Sequence, residues 1–150
     1  AYEISACLVG SEMCIRDILR TGANLDTDVT IASLICGLLI DTLLVVNNYR
    51  DREADARSGK RTVIVRFGEK FGRYFYLMLG ITASLLCLCF LREGHFYAAF
   101  LPQLYLIPHF LTWKRMVKIY SGKKLNSILG ETSRNMLLMG ILIAIGMLIN

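Results

Sequence analysis

Residues 29–55 read VTIASLICGLLIDTLLVV and then NNYRDREAD. The first part holds a single ionisable residue, Asp41, among apolar and small side chains. As a helix it reaches about 27 Å at 1.5 Å per residue, close to the roughly 30 Å of a bilayer core. The second part changes character at once, to amides, carboxylates and arginines. Such a junction predicts a membrane-spanning helix that runs directly into a polar segment at the membrane surface.

The rest of the chain repeats the first half of this pattern. Apolar runs at 74–91, 96–113 and 132–149 are each long enough to cross, so four spans are expected. Pro102 and Pro108 fall inside the third, which should therefore be kinked. Composition agrees. Of the 150 residues, 55% are hydrophobic and only 19% charged, below the roughly 25% charge of a soluble domain. The fold class expected is all-α, an integral membrane helical bundle. The net charge of +5 resides mostly in residues 47–73 and 114–124. The positive-inside rule places both stretches in the cytoplasm of a multi-pass inner-membrane protein. Basic loops facing anionic lipid account for this charge, so membrane lipid is expected as a partner and nucleic acid is not. Cys7, Cys14, Cys36, Cys87 and Cys89 form no CxxC pair, which argues against a zinc site or a disulfide framework. Residues 1–17 show no trustworthy periodicity and read as a non-native or disordered leader to a domain over 18–150.

Asn47, Asp51 and Asp55 stand at i, i+4 and i+8, within about 80° of one another on a helix. Two carboxylates a turn apart suit Mg²⁺, which takes one or two protein carboxylates and fills its shell with water and phosphate oxygens. The cations around them, Arg50, Arg52, Arg57, Lys60 and Arg61, suit phosphate. The plainer reading is a solvated juxtamembrane helix with Asp–Arg pairs. Asn47 and Asn48 weigh against it, because amides at the membrane end of a span are costly unless used. Ser58-Gly59-Lys60-Arg61-Thr62 is not a P-loop: Ala54 replaces the first glycine and Arg61 separates Lys60 from Thr62. Lys60 can still reach a diphosphate as a point charge. Asp41, inside a span, is either functional or paired with a neighbouring helix. His109 is expected as a packed residue, and Glu131, Arg134 and Asn135 as caps of the last span, with a Glu131–Arg134 pair at i, i+3 or a cavity-facing role as the alternatives.

The run Asn47-Asn48-Tyr49-Arg50-Asp51 with Asp55, then Gly59-Lys60-x-Thr62-Val63-x-Val65-Arg66-Phe67-Gly68, resembles the second aspartate-rich motif of the UbiA-type intramembrane prenyltransferases. Within that family it is most similar to the branch that prenylates 1,4-dihydroxy-2-naphthoate. Residues 125–135 also resemble the start of that branch's last helix. The resemblance implies a bundle of about nine helices, of which four are seen here, with the first aspartate-rich motif absent. It implies transfer of a polyprenyl group from polyprenyl diphosphate to the naphthoate with loss of CO₂ and diphosphate, and a chain that is incomplete and inactive alone. By the same resemblance Asp51 and Asp55 hold Mg²⁺, Asn47, Asn48, Arg50 and Lys60 hold diphosphate, and Asp51, Asp55 and Lys60 are catalytic. Other readings are a related enzyme with a different aromatic acceptor, a CDP-alcohol phosphotransferase (whose DGxxAR pattern is not found) and a non-enzymatic lipid-binding fragment.

Overall fold

The computed structural model describes residues 27–122 and 124–149. The proposed leader at 1–17 lies outside them. The described residues form helices and turns, with no strand. Helix α1 is Thr27–Arg57, 31 residues without a break, about 46 Å long. The membrane span and the polar motif are therefore one rigid rod. Its buried positions, Ile31, Ile35, Leu39, Thr42, Val45, Val46 and Tyr49, recur every three to four residues and make one stripe. Leu34, Ile40 and Leu44, off that stripe, stay exposed, so apart from Asp41 the outer face of the span is apolar too, as that of a lipid-embedded helix is. Gly59 ends α1 with φ 75°, a backbone state that glycine enters without strain. The turn it makes lets the Lys60 N–H donate to the Asp55 carbonyl at 2.9 Å.

Short helix α2, Val63–Phe67, begins at Thr62, whose hydroxyl accepts from the Val65 N–H at 3.3 Å. Helix α3, Glu69–Leu86, continues as a 3₁₀ segment to Glu93. The third apolar run is then built in pieces: α4 (Phe96–Phe100), a 3₁₀ segment (Leu101–Tyr105) and α5 (Leu106–Ile119). The expected kink is present, and Pro102 sits at its start. Such a break frees backbone carbonyls inside the bilayer, where each needs a partner. Gln103 supplies it. Its amide donates to the Ala99 carbonyl at 3.1 Å and to the Ser84 carbonyl at 2.8 Å, while the Ser84 hydroxyl donates to its oxygen at 2.7 Å.

Helix α6 is Leu125–Ile149. Three helical stretches, Thr27–Arg57, Glu69–Glu93 and Leu125–Ile149, are long and apolar enough to cross a membrane. The fourth apolar run, 96–113, is helical but interrupted. The start of α6 corrects one expectation. Glu131, Arg134 and Asn135 lie inside the helix and are not caps, because Leu125 and Ile128 are already buried against Val46, Tyr49 and Ile64 and carry the packed face earlier. Glu131 also pairs with Arg115 at 2.8 Å, not with Arg134.

Two apolar clusters hold the bundle. One joins Ile35, Leu39, Ala83, Cys87, Phe90 and Met139, and the other joins Val46, Tyr49, Ile64, Tyr76, Met116 and Ile128. Buried polar side chains link the helices as well. Tyr76 and Thr132 hydroxyls lie 3.1 Å apart, and Asn135 donates to Thr112 at 2.9 Å. His109 is fully buried and stacked between Tyr76 and Tyr105, with ring centroids 4.6 and 5.1 Å away, so the packed reading of this residue holds. Gly80 makes room for it: a Cβ there would collide with the imidazole. Close approach at small residues is how membrane helices gain packing contacts.

Candidate functional site

The polar end of α1 meets the α5–α6 turn and the start of α3. Residues 47–73 and 114–124, the two basic stretches, thus come to the same end of the bundle: Arg50 bonds Asn126, Arg52 bonds Tyr120, and Trp113 bonds the Arg73 carbonyl.

Arg50 is the hub. Its Nε donates to Asp51 Oδ1 at 2.7 Å and its Nη2 to Asp51 Oδ2 at 2.6 Å, a bidentate fork. The same Nη2 donates to Asn47 Oδ1 at 2.7 Å, and Nη1 donates to Asn126 Oδ1 at 2.9 Å. The hydrogen bonds from Arg50 hold the Asp51 carboxyl below its ordinary pKa, with the charges of Arg50 and Lys60 acting in the same direction. Arg50, Asp51, Ala54, Arg57, Gly122 and Asn126 line an open cleft of about 550 Å³.

Asp55 is placed differently. Its side chain is 12% exposed, against 41% for Asp51. Oδ1 lies 3.6 Å from Lys60 Nζ, and Oδ2 is buried with no hydrogen-bond partner among the described residues. An ionised oxygen in that position is costly to leave unmatched. Lys60 connects the two acids, as an ion pair to Asp55 and as a charge felt by Asp51. Asn48 faces elsewhere. It lines a separate cleft of about 210 Å³ with Asp41, Leu44, Val45, Ile64 and Phe75. The seven-residue spacing of Asp41 and Asn48 puts both on that face.

The candidate residues therefore fall into three groups: Asn47 with Arg50 and Asp51, Asp55 with Lys60, and Asn48 with Asp41. The donors at Asp51 and Asp55 are hard oxygens only, suited to Mg²⁺ in kind. No group of three or more His, Cys, Asp or Glu side chains capable of holding a metal occurs among the described residues, so such an ion would need oxygens from water and substrate. The unmatched Asp55 Oδ2 fits a cation, and Asp51 keeps a free lone pair on each oxygen beside the Arg50 fork.

Sequence reading missed Asn126, which stands 76 residues from its partner Arg50. It also missed a collar next to the cleft. The Arg52 guanidinium lies 4.5 Å from the Tyr49 ring centroid and 5.1 Å from that of Tyr120. It donates to the Tyr49 carbonyl at 2.7 Å and the Tyr120 carbonyl at 3.0 Å. Arg73 lies 5.2 Å from the Tyr120 ring and donates to the Tyr49 hydroxyl at 2.9 Å. Glu69 sits between the two arginines, 3.7 Å from Arg52 and 3.6 Å from Arg73. Tyr120 has φ 62°, the one positive φ at a non-glycine among the described residues. With ψ −56° it is the strained centre of a γ-turn, closed by the Ser121 N–H on the Ile119 carbonyl at 2.7 Å, and such a state costs an L-residue about 1–3 kcal/mol.

Comparison with known proteins gives the geometry a context. The UbiA prenyltransferase family profile matches residues 5–148. The chain is 32% identical over 130 residues to the 1,4-dihydroxy-2-naphthoate octaprenyltransferase of Haemophilus influenzae, which covers 84% of this chain and 41% of that protein. It is 43% identical over 53 residues to the Escherichia coli protein of the same name, covering 35% of this chain and 17% of that one. The chain thus spans about two-fifths of the length of the Haemophilus relative. No solved structure matches it.

Proposed function

Because this chain belongs to the UbiA prenyltransferase family, we propose that it forms the second-motif end of a membrane enzyme transferring a polyprenyl group from polyprenyl diphosphate to 1,4-dihydroxy-2-naphthoate. The protein is a multi-pass membrane protein, by its apolar helices and its family. In this reading it lies in the inner membrane with residues 47–73 and 114–124 in the cytoplasm. The observation that carries the reading is the Arg50 fork on Asp51, buttressed by Asn47 and Asn126, in an open cleft at the basic end of the bundle. The names of the two relatives support the choice of acceptor.

The chemistry assigns each residue a task. Asp51 and Asp55 would hold Mg²⁺, which when bound draws charge from the leaving diphosphate. Arg50, at the cleft, would present its guanidinium to phosphate oxygens. Lys60 adds a point charge between the two acids. Asn47 orients Arg50. Asn48, in its separate cleft, would meet substrate beside the diphosphate. The allylic C–O bond breaks and its electron pair leaves with the diphosphate. A ring carbon of the naphthoate attacks the allylic cation, and the electrons of the C–CO₂ bond restore aromaticity as CO₂ departs. Positive charge fixed where negative charge develops contributes most of the acceleration.

The test is mass spectrometry of prenylated naphthoquinol in membranes supplied with polyprenyl diphosphate, the naphthoate and Mg²⁺. The chain would be assayed alone and joined to the amino-terminal half of the Haemophilus relative, with Asp51→Asn as control. Product that vanishes in the control is expected. Unchanged product in the control would overturn the site. No product with verified chains would overturn the acceptor first, and other aromatic acceptors would follow. A lipid-binding role alone predicts no dependence on Asp51 at all.

A further inference from the structure

We propose that Tyr120 is a positioning residue for the diphosphate cleft: gripped between Arg52 and Arg73, it holds the α5–α6 turn so that Gly122 and Asn126 form one wall of that cleft. The inference rests on the reading of the cleft given above.

Among the described residues of the turn, the backbone hydrogen bonds reach only its own neighbours. Tyr120 and Gly122 are exposed. The backbone bonds there are local, from Tyr120 N–H to the Met116 carbonyl at 3.2 Å, Ser121 N–H to Ile119 at 2.7 Å and Leu125 N–H to Gly122 at 3.0 Å. The long-range grip comes from α1 and α3 through Tyr120. Arg52 holds both its carbonyl and one face of its ring, and Arg73 approaches the same ring. Two arginines this close would repel each other without Glu69 between them. A chain reversal with positive φ usually uses glycine, which has no strain there. A tyrosine held in that state is over-determined by its surroundings, and such strain concentrates at functional sites. The result of the grip lies two and six residues on. Gly122 lines the cleft, and Asn126 Oδ1 takes the Arg50 Nη1 hydrogen at 2.9 Å. Arg52 itself is absent from the cleft lining, so the collar acts on the cleft through the turn.

The test uses whichever arm of the membrane assay is active. Inhibition by inorganic pyrophosphate reports the cleft independently of turnover. Tyr120→Gly accepts the backbone conformation but loses the ring. It should raise the pyrophosphate inhibition constant and the KM for polyprenyl diphosphate about tenfold, the scale of one lost cation–π grip. The KM for the aromatic acceptor and the melting temperature should stay unchanged. Tyr120→Phe keeps the ring but loses the hydroxyl that meets Glu69, and should shift the pyrophosphate constant in the same direction by less than Tyr120→Gly does. An unchanged pyrophosphate constant in Tyr120→Gly, or an equal shift in both KM values, overturns the proposal. If Tyr120→Gly does not accumulate in membranes, Arg52→Lys, which keeps charge and loses the fork, must show the same split between the two KM values. Its absence there also overturns the proposal. Asp51→Asn separates the two levels of argument: loss there with Tyr120→Gly unaffected sinks only the positioning role, whereas full activity of Asp51→Asn sinks the cleft reading itself.

Discussion

The two acids of the α1 motif stand one helical turn apart and inhabit different surroundings. Asp51 is half-exposed, forked by Arg50 and set in an open cleft. Asp55 is buried, with a 3.6 Å ion pair on one oxygen and no hydrogen-bond partner for the other among the described residues. Spacing alone makes them equivalent, since a four-residue step turns the helix by only about 40°. The difference comes from what lies against each. Asn126, brought by α6, supports Arg50 from across the cleft, whereas the Gly59 turn folds the chain back over Asp55. A repeated carboxylate can therefore serve two purposes: one acid pre-matched by a cation and accessible, the other held unmatched in the protein.

The largest effect that tests this contrast is on turnover. Asp51→Asn should lower prenyl transfer by about 100-fold to 1,000-fold, the scale of losing one electrostatic stabiliser at a leaving group. Initial rates in membranes measure it, and a loss under about threefold would break the assignment. Next comes Arg50→Gln, which removes the fork but leaves both acids. It should raise the KM for polyprenyl diphosphate about tenfold, the loss of one charge-assisted bond pair. Steady-state titration of the diphosphate substrate gives the answer, and a change confined to the aromatic acceptor would contradict it.

Asp55→Asn sharpens the comparison from the stability side. Removing a buried charge with one oxygen unpartnered among the described residues should stabilise the metal-free protein by about 1 kcal/mol, or about 2–4 °C in melting temperature, while activity falls. The partner Lys60 is 64% exposed, so the lost ion pair offsets little of this. Asp51→Asn should instead destabilise slightly, because it leaves Arg50 without its fork. Thermal melts in detergent compare the two, and equal shifts would erase the distinction.

The smallest effect is with pH. The Arg50 bonds lower the Asp51 pKa, so the stabilisation it brings is present above the ordinary carboxyl value, near 3.9, and is lost only as pH falls through the lower folded value. Between pH 5 and 8 Asp51 should contribute no slope to stability or rate. A titration near pH 6 that disappears in Asp51→Asn would contradict the pairing.

Much of the bundle is written in apolar run lengths. The runs at 29–46, 74–91 and 132–149 lie within the three long helices, and Pro102 marked the break in the other run. The early start of α6 was legible in the resemblance of residues 125–135 but not in the apolar run, because Asn126, Ser127 and Glu131 dilute the hydropathy of turns that nevertheless bury Leu125 and Ile128. At the site, the residues of the motif could be named from their spacing. Their division into separate groups could not, because it follows from which helix packs against each side of α1. Asn126 and Tyr120 carry no local sign of their contacts. Tyr120 in particular occupies a positive-φ position, with ψ −56°, that L-residues rarely adopt.

The unbroken course of α1 makes the motif a lever. Its span and its acids share one helix from Thr27 to Arg57, so any tilt of the span is transmitted without loss to the carboxylates. Over about 30 Å, a tilt of about 10° swings the polar end by about 5 Å. A bilayer thickness that changed the tilt of α1 would thereby change how far Asp51 stands from Asn126 of α6.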